Sequence, residues 1–107
     1  MQEWYEPSFH EAREQQRAFA VLFYTPMCGS CHVVERQLDI IAETVPELTL
    51  VKMNLNYLPK IVQTYQIQSV PSVYRFDTNG VVKRLTVIDN VTELYRELIV
   101  LKKKVKQ

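Results

Sequence analysis

Apolar and polar positions alternate along this chain in segments that change period several times. The first apolar block, Phe19-Ala20-Val21-Leu22-Phe23-Tyr24, is continuous, as in a central strand covered on both faces. Thr25-Pro26 ends it, because proline has no N–H to give to a ladder. From Ser30 onward, Val33, Val34, Leu38, Ile41, Ala42 and Val45 recur at three- and four-residue spacing, one apolar face of a long helix that should stop before Pro46. Leu48 to Leu55 alternates and predicts a second strand, parallel to the first.

Shorter elements surround this unit. Ser8 with Glu11 has capping-box spacing and opens a polar segment, His10 to Arg17, that reads as a first helix. Trp4 and Tyr5 are placed to pack the N-terminus onto the domain. Asn56 can cap a short helix from about Pro59 to Tyr65 with proline in its first turn. Pro71 opens a strand through Phe76, and Asp77-Thr78-Asn79-Gly80 is a hairpin turn returning through Val81 to Ile88. Asn90 with Glu93 caps a last helix carrying Leu94, Leu98 and Leu101 on one face. The order is helix, strand, helix, strand, helix, hairpin, helix. That is an α/β fold whose mixed central sheet has helices on both faces.

With 107 residues the chain is expected to form a single domain over residues 1–107, and apolar residues at 47% argue against disorder. Thirteen basic residues oppose twelve acidic ones, so no net field points to nucleic acid or an anionic membrane. The basic run Lys102-Lys103-Lys104-Val105-Lys106 reads as the complement of a helix C-terminus. The first residues lack the basic and apolar regions of a secretory signal, and no stretch reaches the roughly 20 apolar residues of a membrane span. A cytoplasmic location is expected.

Two cysteines three positions apart change the picture. They cannot staple distant parts of a fold, and a close pair in a reducing compartment is catalytic or metal-binding more often than structural. Cys28 follows the buried strand at the start of the long helix, where unpaired amides and the helix dipole stabilise an anion. A free thiol with pKa ~8.5 is only about 3% ionised at pH 7. Lowering it to ~7 would make roughly half of it thiolate, about 2 kcal/mol of differential stabilisation. Cys28 is the expected nucleophile, and Cys31, a turn further in, faces the same way to resolve the mixed disulfide. Zinc would need His10 and His32 as further ligands, and the Cys-x-x-Cys-His pattern of Cys28 to His32 also fits covalent haem. Zinc wants four ligands and finds no better candidates, and haem suits neither the strand-then-helix placement nor a chain expected to stay in the cytoplasm, so no metal and no bound cofactor is expected. His10 reads as a solvated helix residue and His32 as a surface neighbour able to modulate the thiols.

These residues resemble the thioredoxin family from about Phe19 to Leu101. The match is carried by the strand into Tyr24-Thr25-Pro26-Met27-Cys28-Gly29-Ser30-Cys31, by Val70-Pro71-Ser72 and by the Asn79-Gly80 turn. The chain is similar in particular to short thioredoxin-like proteins of Gram-positive bacteria. The resemblance implies the thioredoxin fold, attack by Cys28, resolution by Cys31, and a motif completed by Gly29 and Ser30. Pro71 becomes the family's cis-proline, with Val70 and Met27 beside an extended substrate strand. Tyr24 and Lys52 fall where they can act on the site. Partners are then disulfide-containing proteins, with a flavoprotein reductase or a low-molecular-weight thiol as electron donor. The chain departs from the usual pattern where Met27 replaces tryptophan, Ser30 proline, Leu22 a buried aspartate and Arg36 a helix-kinking proline, and where no glycine stands near Asp89. The function expected is reduction or exchange of protein disulfides. The alternative is a redox-sensitive peptide-binding adaptor with little turnover.

Overall fold

The computed structural model describes residues 1–85 and 90–105. Its elements are β1 (Gln2–Glu3), α1 (Glu6–Glu14), β2 (Phe19–Tyr24), α2 (Gly29–Thr44), β3 (Leu50–Asn54), a 3-10 turn (Leu55–Tyr57), α3 (Pro59–Tyr65), β4 (Ser72–Phe76), β5 (Val82–Leu85) and α4 (Val91–Val105). The five strands lie in the order β1-β3-β2-β4-β5. The first three run parallel, and β4 and β5 are antiparallel to their neighbours. This is the mixed sheet expected from the pattern.

The strand period sorts side chains to two cores. Phe19, Val21 and Phe23 join Val51, Met53, Tyr74 and Phe76 beneath α1 and α3. Ala20 and Leu22 join Leu50, Val73 and Leu85 beneath α2 and α4. Strand β2 is therefore covered on both faces, which is why it reads as an unbroken apolar run. Leu38 and Ile41 of α2 and Leu94 and Leu98 of α4 are 0–1% exposed, each contributing about 1.5–3 kcal/mol by burial.

Several local expectations change. Strand β1 was not anticipated; two residues show no period, and β1 exists by pairing with Val51 and Lys52 of β3. Trp4 then packs into the core against Phe19, whereas Tyr5 is exposed. Helix α1 begins at Glu6 with Pro7 in its first turn and no side-chain cap, so Ser8 lies inside it. The helix ends at Glu14, short of Arg17, because the backbone turns left-handed at Gln16, with φ 56°. Strand β3 is shorter than Leu48 to Leu55, since Asn54 accepts the Asn56 N–H at 2.9 Å and starts the 3-10 turn. Asn56 is thus a donor there and caps nothing; α3 starts at Pro59 without a side-chain cap.

Other expectations hold. Thr44 is the last residue of α2. Asn90 accepts the Glu93 N–H at 2.9 Å at the head of α4. Gly80 takes φ 87°, as the hairpin requires, with Asp77 N–H bonded to Val81 O at 2.9 Å. The return strand expected up to Ile88 is seen as β5; residues 86–88 lie outside the described residues. Lys102 pairs with Glu47 at 3.0 Å.

Candidate active site

Strand β2 ends at Tyr24 and delivers the chain to α2 through a tight turn, with Cys28 N–H donating to Thr25 O at 3.2 Å. Cys28 is the N-cap of α2, in extended conformation, and its Sγ accepts the Cys31 N–H at 3.1 Å. A sulfur here does what a Ser, Thr, Asp or Asn oxygen usually does. It faces the unpaired amides of a sixteen-residue helix, where negative charge is favoured. Cys28 and Cys31 are joined as a disulfide with Cα atoms 5.3 Å apart.

The two sulfurs differ in access. Cys31 is 2% exposed, whereas Cys28 is half-buried and stands at the mouth of the site. Ser30 Oγ lies 3.5 Å from Cys28 Sγ. A Cβ added at Gly29 would meet nothing within 4 Å, so this position borders open space. Met27, at 95% exposure, is the most prominent apolar side chain on this surface.

Register brings the second half of the site across. Phe23 at the end of β2 is paired with Ser72 at the start of β4, so the Ser69–Ser72 loop sits beside the cysteines. The Val70–Pro71 peptide is cis, and Ser72 Oγ donates to Ser69 O at 2.6 Å within that loop. An open groove of about 450 Å³ runs between the first turn of α2 and this loop, lined by Ser30, Val33, Val70, Pro71 and Leu85 among others. Val33 was expected on the buried face of α2; it is 53% exposed and lines the groove. The structure thus brings together Cys28, Gly29, Ser30, Cys31, Val70 and Pro71.

Tyr24 and Lys52 belong to a polar cluster on the α2 side of the sheet. The Tyr24 hydroxyl donates to Glu3, and Lys52 Nζ bonds Glu35 Oε2 at 2.8 Å while lying 5.5 Å from the Tyr24 ring centroid. Burial and the Glu3 carboxylate push the Tyr24 phenol far above its ordinary value. Lys52 is also raised, chiefly by its bond to Glu35, against the opposing effect of burial. Leu22, the register partner of Lys52, is fully buried. His32 is exposed on α2, and His10 pairs with Glu6 along α1 at 3.1 Å. Sequence reasoning missed Glu3 and Glu35. Glu35 was findable, being four residues after Cys31 on one helix; Glu3 depends on β1, which no pattern announces.

A disulfide-forming pair at a helix N-terminus beside an open groove, carried on this sheet, defines a thiol–disulfide oxidoreductase. The chain belongs to the thioredoxin family, whose model, described as thioredoxin, matches residues 2–99. It is 35% identical over 81 residues to the thioredoxin-like protein YusE of Bacillus subtilis, covering 76% of each chain. It is 33% identical over 93 residues to a thioredoxin of Griffithsia pacifica, covering 78% of this chain and 85% of that one. Among solved structures, chloroplastic thioredoxin z superposes with a TM-score of 0.81 at 16% identity, over 96% of this chain and 95% of the other, which is a likeness of fold. The adaptor reading is not favoured by this family or by the bonded cysteine pair.

Proposed function

We propose that Cys28 attacks disulfides of protein substrates and that Cys31 resolves the resulting mixed disulfide. The observation that carries this is the contrast between the two sulfurs: Cys28 accessible at the helix end and bonded by an amide, Cys31 buried one turn inside. Thiolate charge on Cys28 is stabilised where substrate can reach it. The covered sulfur is protected from outside disulfides and meets only its partner. The substrate segment lies in the groove between α2 and the Ser69–Ser72 loop, with Val70, Pro71 and Val33 against it, and the exposed Met27 next to Cys28 offers it an apolar contact. Substrate disulfides are reduced, and the Cys28–Cys31 bond left behind is reopened by a flavoprotein reductase or a low-molecular-weight thiol. Among the described residues no helix is long and apolar enough to cross a membrane, and a cytoplasmic site of action fits this dithiol cycle.

The test uses a model protein disulfide with dithiothreitol as reductant. Wild type is expected to accelerate reduction and Cys28→Ser to do nothing above background; equal rates would remove the enzymatic assignment of Cys28. Cys31→Ser should accumulate mixed disulfides with cell proteins on non-reducing gels. Their absence would show that Cys31 is not the resolving residue.

A further inference from the structure

The Lys52–Glu35 ion pair, at 2.8 Å, is anchored on α2 four residues after Cys31, and the dithiol chemistry above does not use it. Cys31, Glu35 and Leu38 stand at i, i+4 and i+7 on α2, one stripe of the helix. Cys31 and Leu38 are buried against the sheet. Glu35, between them, therefore faces the sheet too, and its bond to Lys52 of β3 shows where the carboxylate lies. Side chains four apart on a helix have Cβ atoms about 5–6 Å apart. That spacing sets the Glu35 side chain next to Cys31 on the sheet-facing stripe of α2, with its carboxylate held at Lys52.

Chemistry demands an acceptor at that point. The Cys31 thiol must lose its proton before it can attack, and at 2% exposure it has little water of its own. Strand β2 offers none beneath it, since Leu22 is apolar and fully buried. The other ionisable groups facing Glu35 are otherwise engaged. Lys52 of β3 is its partner, Tyr24 of β2 donates to Glu3 of β1, and Asp39 on α2 binds the Met1 ammonium at 2.6 Å. Glu35 and Lys52 side chains are each 23% exposed, so a proton taken there has a route to solvent.

We propose that Glu35 accepts the proton of the Cys31 thiol during resolution, with Lys52 holding the carboxylate beneath the first turn of α2; this rests on the resolving role given to Cys31 above. In the mixed disulfide, Cys28 is bonded to a substrate sulfur. Glu35 takes the Cys31 proton, and the thiolate attacks Cys28 Sγ. The Cys28–Cys31 bond forms, the Cys28–substrate bond breaks, and its electron pair leaves on the substrate sulfur, which takes a proton from water. Glu35 then returns its proton to solvent. Over the cycle two protein thiols lose two electrons and two protons, and the substrate disulfide gains both.

Stopped-flow mixing of the reduced protein with an excess aryl disulfide separates the two attacks. The first release of arylthiolate, dependent on reagent concentration, reports Cys28; the second, independent of it, reports Cys31. An arylthiolate leaves without needing a proton, so the second phase isolates proton loss from Cys31. With Glu35 as acceptor, the wild-type second phase depends on pH less steeply than that of Glu35→Gln, which depends on thiolate formed in advance and rises about tenfold per pH unit. The Glu35→Gln rate at neutral pH should fall about 100-fold, the low end of general-base effects, with the first phase unchanged. Equal second-phase rates and pH profiles for Glu35→Gln and wild type would overturn the proposal. Should Glu35→Gln fail to fold, Lys52→Met decides: with the carboxylate no longer held beneath the first turn of α2, the second phase slows at neutral pH while the first is unchanged, and an unchanged second phase overturns the proposal. A wild type whose second phase outpaces that of Glu35→Gln but which reduces no protein disulfide would sink the functional reading while leaving Glu35 in its role.

Discussion

Replacing Tyr24 by phenylalanine should make the protein less sensitive to alkali, although it removes a hydrogen bond. In the folded chain the phenol is held neutral by burial and by the adjoining Glu3 carboxylate, with Glu35 adding to the same effect. In the unfolded chain it ionises near its ordinary value of about 10. The native state therefore binds the extra proton above that pH, and stability must fall as pH rises. This contribution is fully present below pH ~10 and lost above it, with a limiting slope of about 1.4 kcal/mol per pH unit for one proton. Lys52, also raised, acts in the same direction from its unfolded value of 10.5 upward in both proteins, so it cancels in the comparison. Deleting the hydroxyl should cost about 2 kcal/mol near pH 8, the scale of a hydrogen bond to a charged acceptor. That gap should then shrink by about 1.5 kcal/mol between pH ~10 and ~11.5. The measurement is urea unfolding at several pH values, followed by Trp4, the single tryptophan, which packs on Phe19 with ring centroids 5.2 Å apart. The Cys28–Cys31 bond is kept intact so that no thiol titrates. A gap that stays constant or widens with pH would refute the linkage of Tyr24 to Glu3.

Two further outcomes follow from the packing and caps, read by the same unfolding experiment. Asn90→Ala should cost about 1 kcal/mol, because it frees the Glu93 N–H at the head of α4, whereas Ser8→Ala should change stability by less than about 0.5 kcal/mol. Comparable losses would mean that Ser8 caps α1 after all. Phe76→Ala should cost about 3–5 kcal/mol, since this fully buried ring stacks on Phe19 at 4.8 Å and meets Phe9 edge-on at 5.2 Å; a loss below about 1.5 kcal/mol would mean that the aromatic cluster collapses to fill the space.

What could be read in the sequence divides by distance along the chain. The β2–α2 junction lies within one local stretch, so an apolar run, a proline and a helical period sufficed to place Cys28 at a helix end and Cys31 a turn inside. Helix starts were less legible because Ser8 and Asn56 have capping chemistry at places where Pro7 and Pro59 already set the first turn. Strand β1 was invisible, since its two residues are held by β3 and by the burial of Trp4. That omission hid more than a strand, because Glu3 reaches Tyr24 only once β1 pairs with β3.

The candidate site shows the same division, with a consequence for chemistry. Pro71 could be named from its resemblance, yet its place opposite the cysteines depends on the antiparallel register of Phe23 with Ser72, a contact across nearly fifty positions of sequence. Lys52 was singled out as a group that could act on a cysteine, and the structure gives its ammonium to Glu35. Along β2 alone, Leu22 leaves no carboxylate beneath the cysteines. On the folded chain Leu22 and Lys52 are register neighbours on adjacent strands, and the carboxylate that meets Lys52 comes from α2 instead. A charged group need not stay on one strand to serve a buried thiol. It needs only to lie on the same face within about one helical turn, and Glu35, four residues after Cys31, meets that condition.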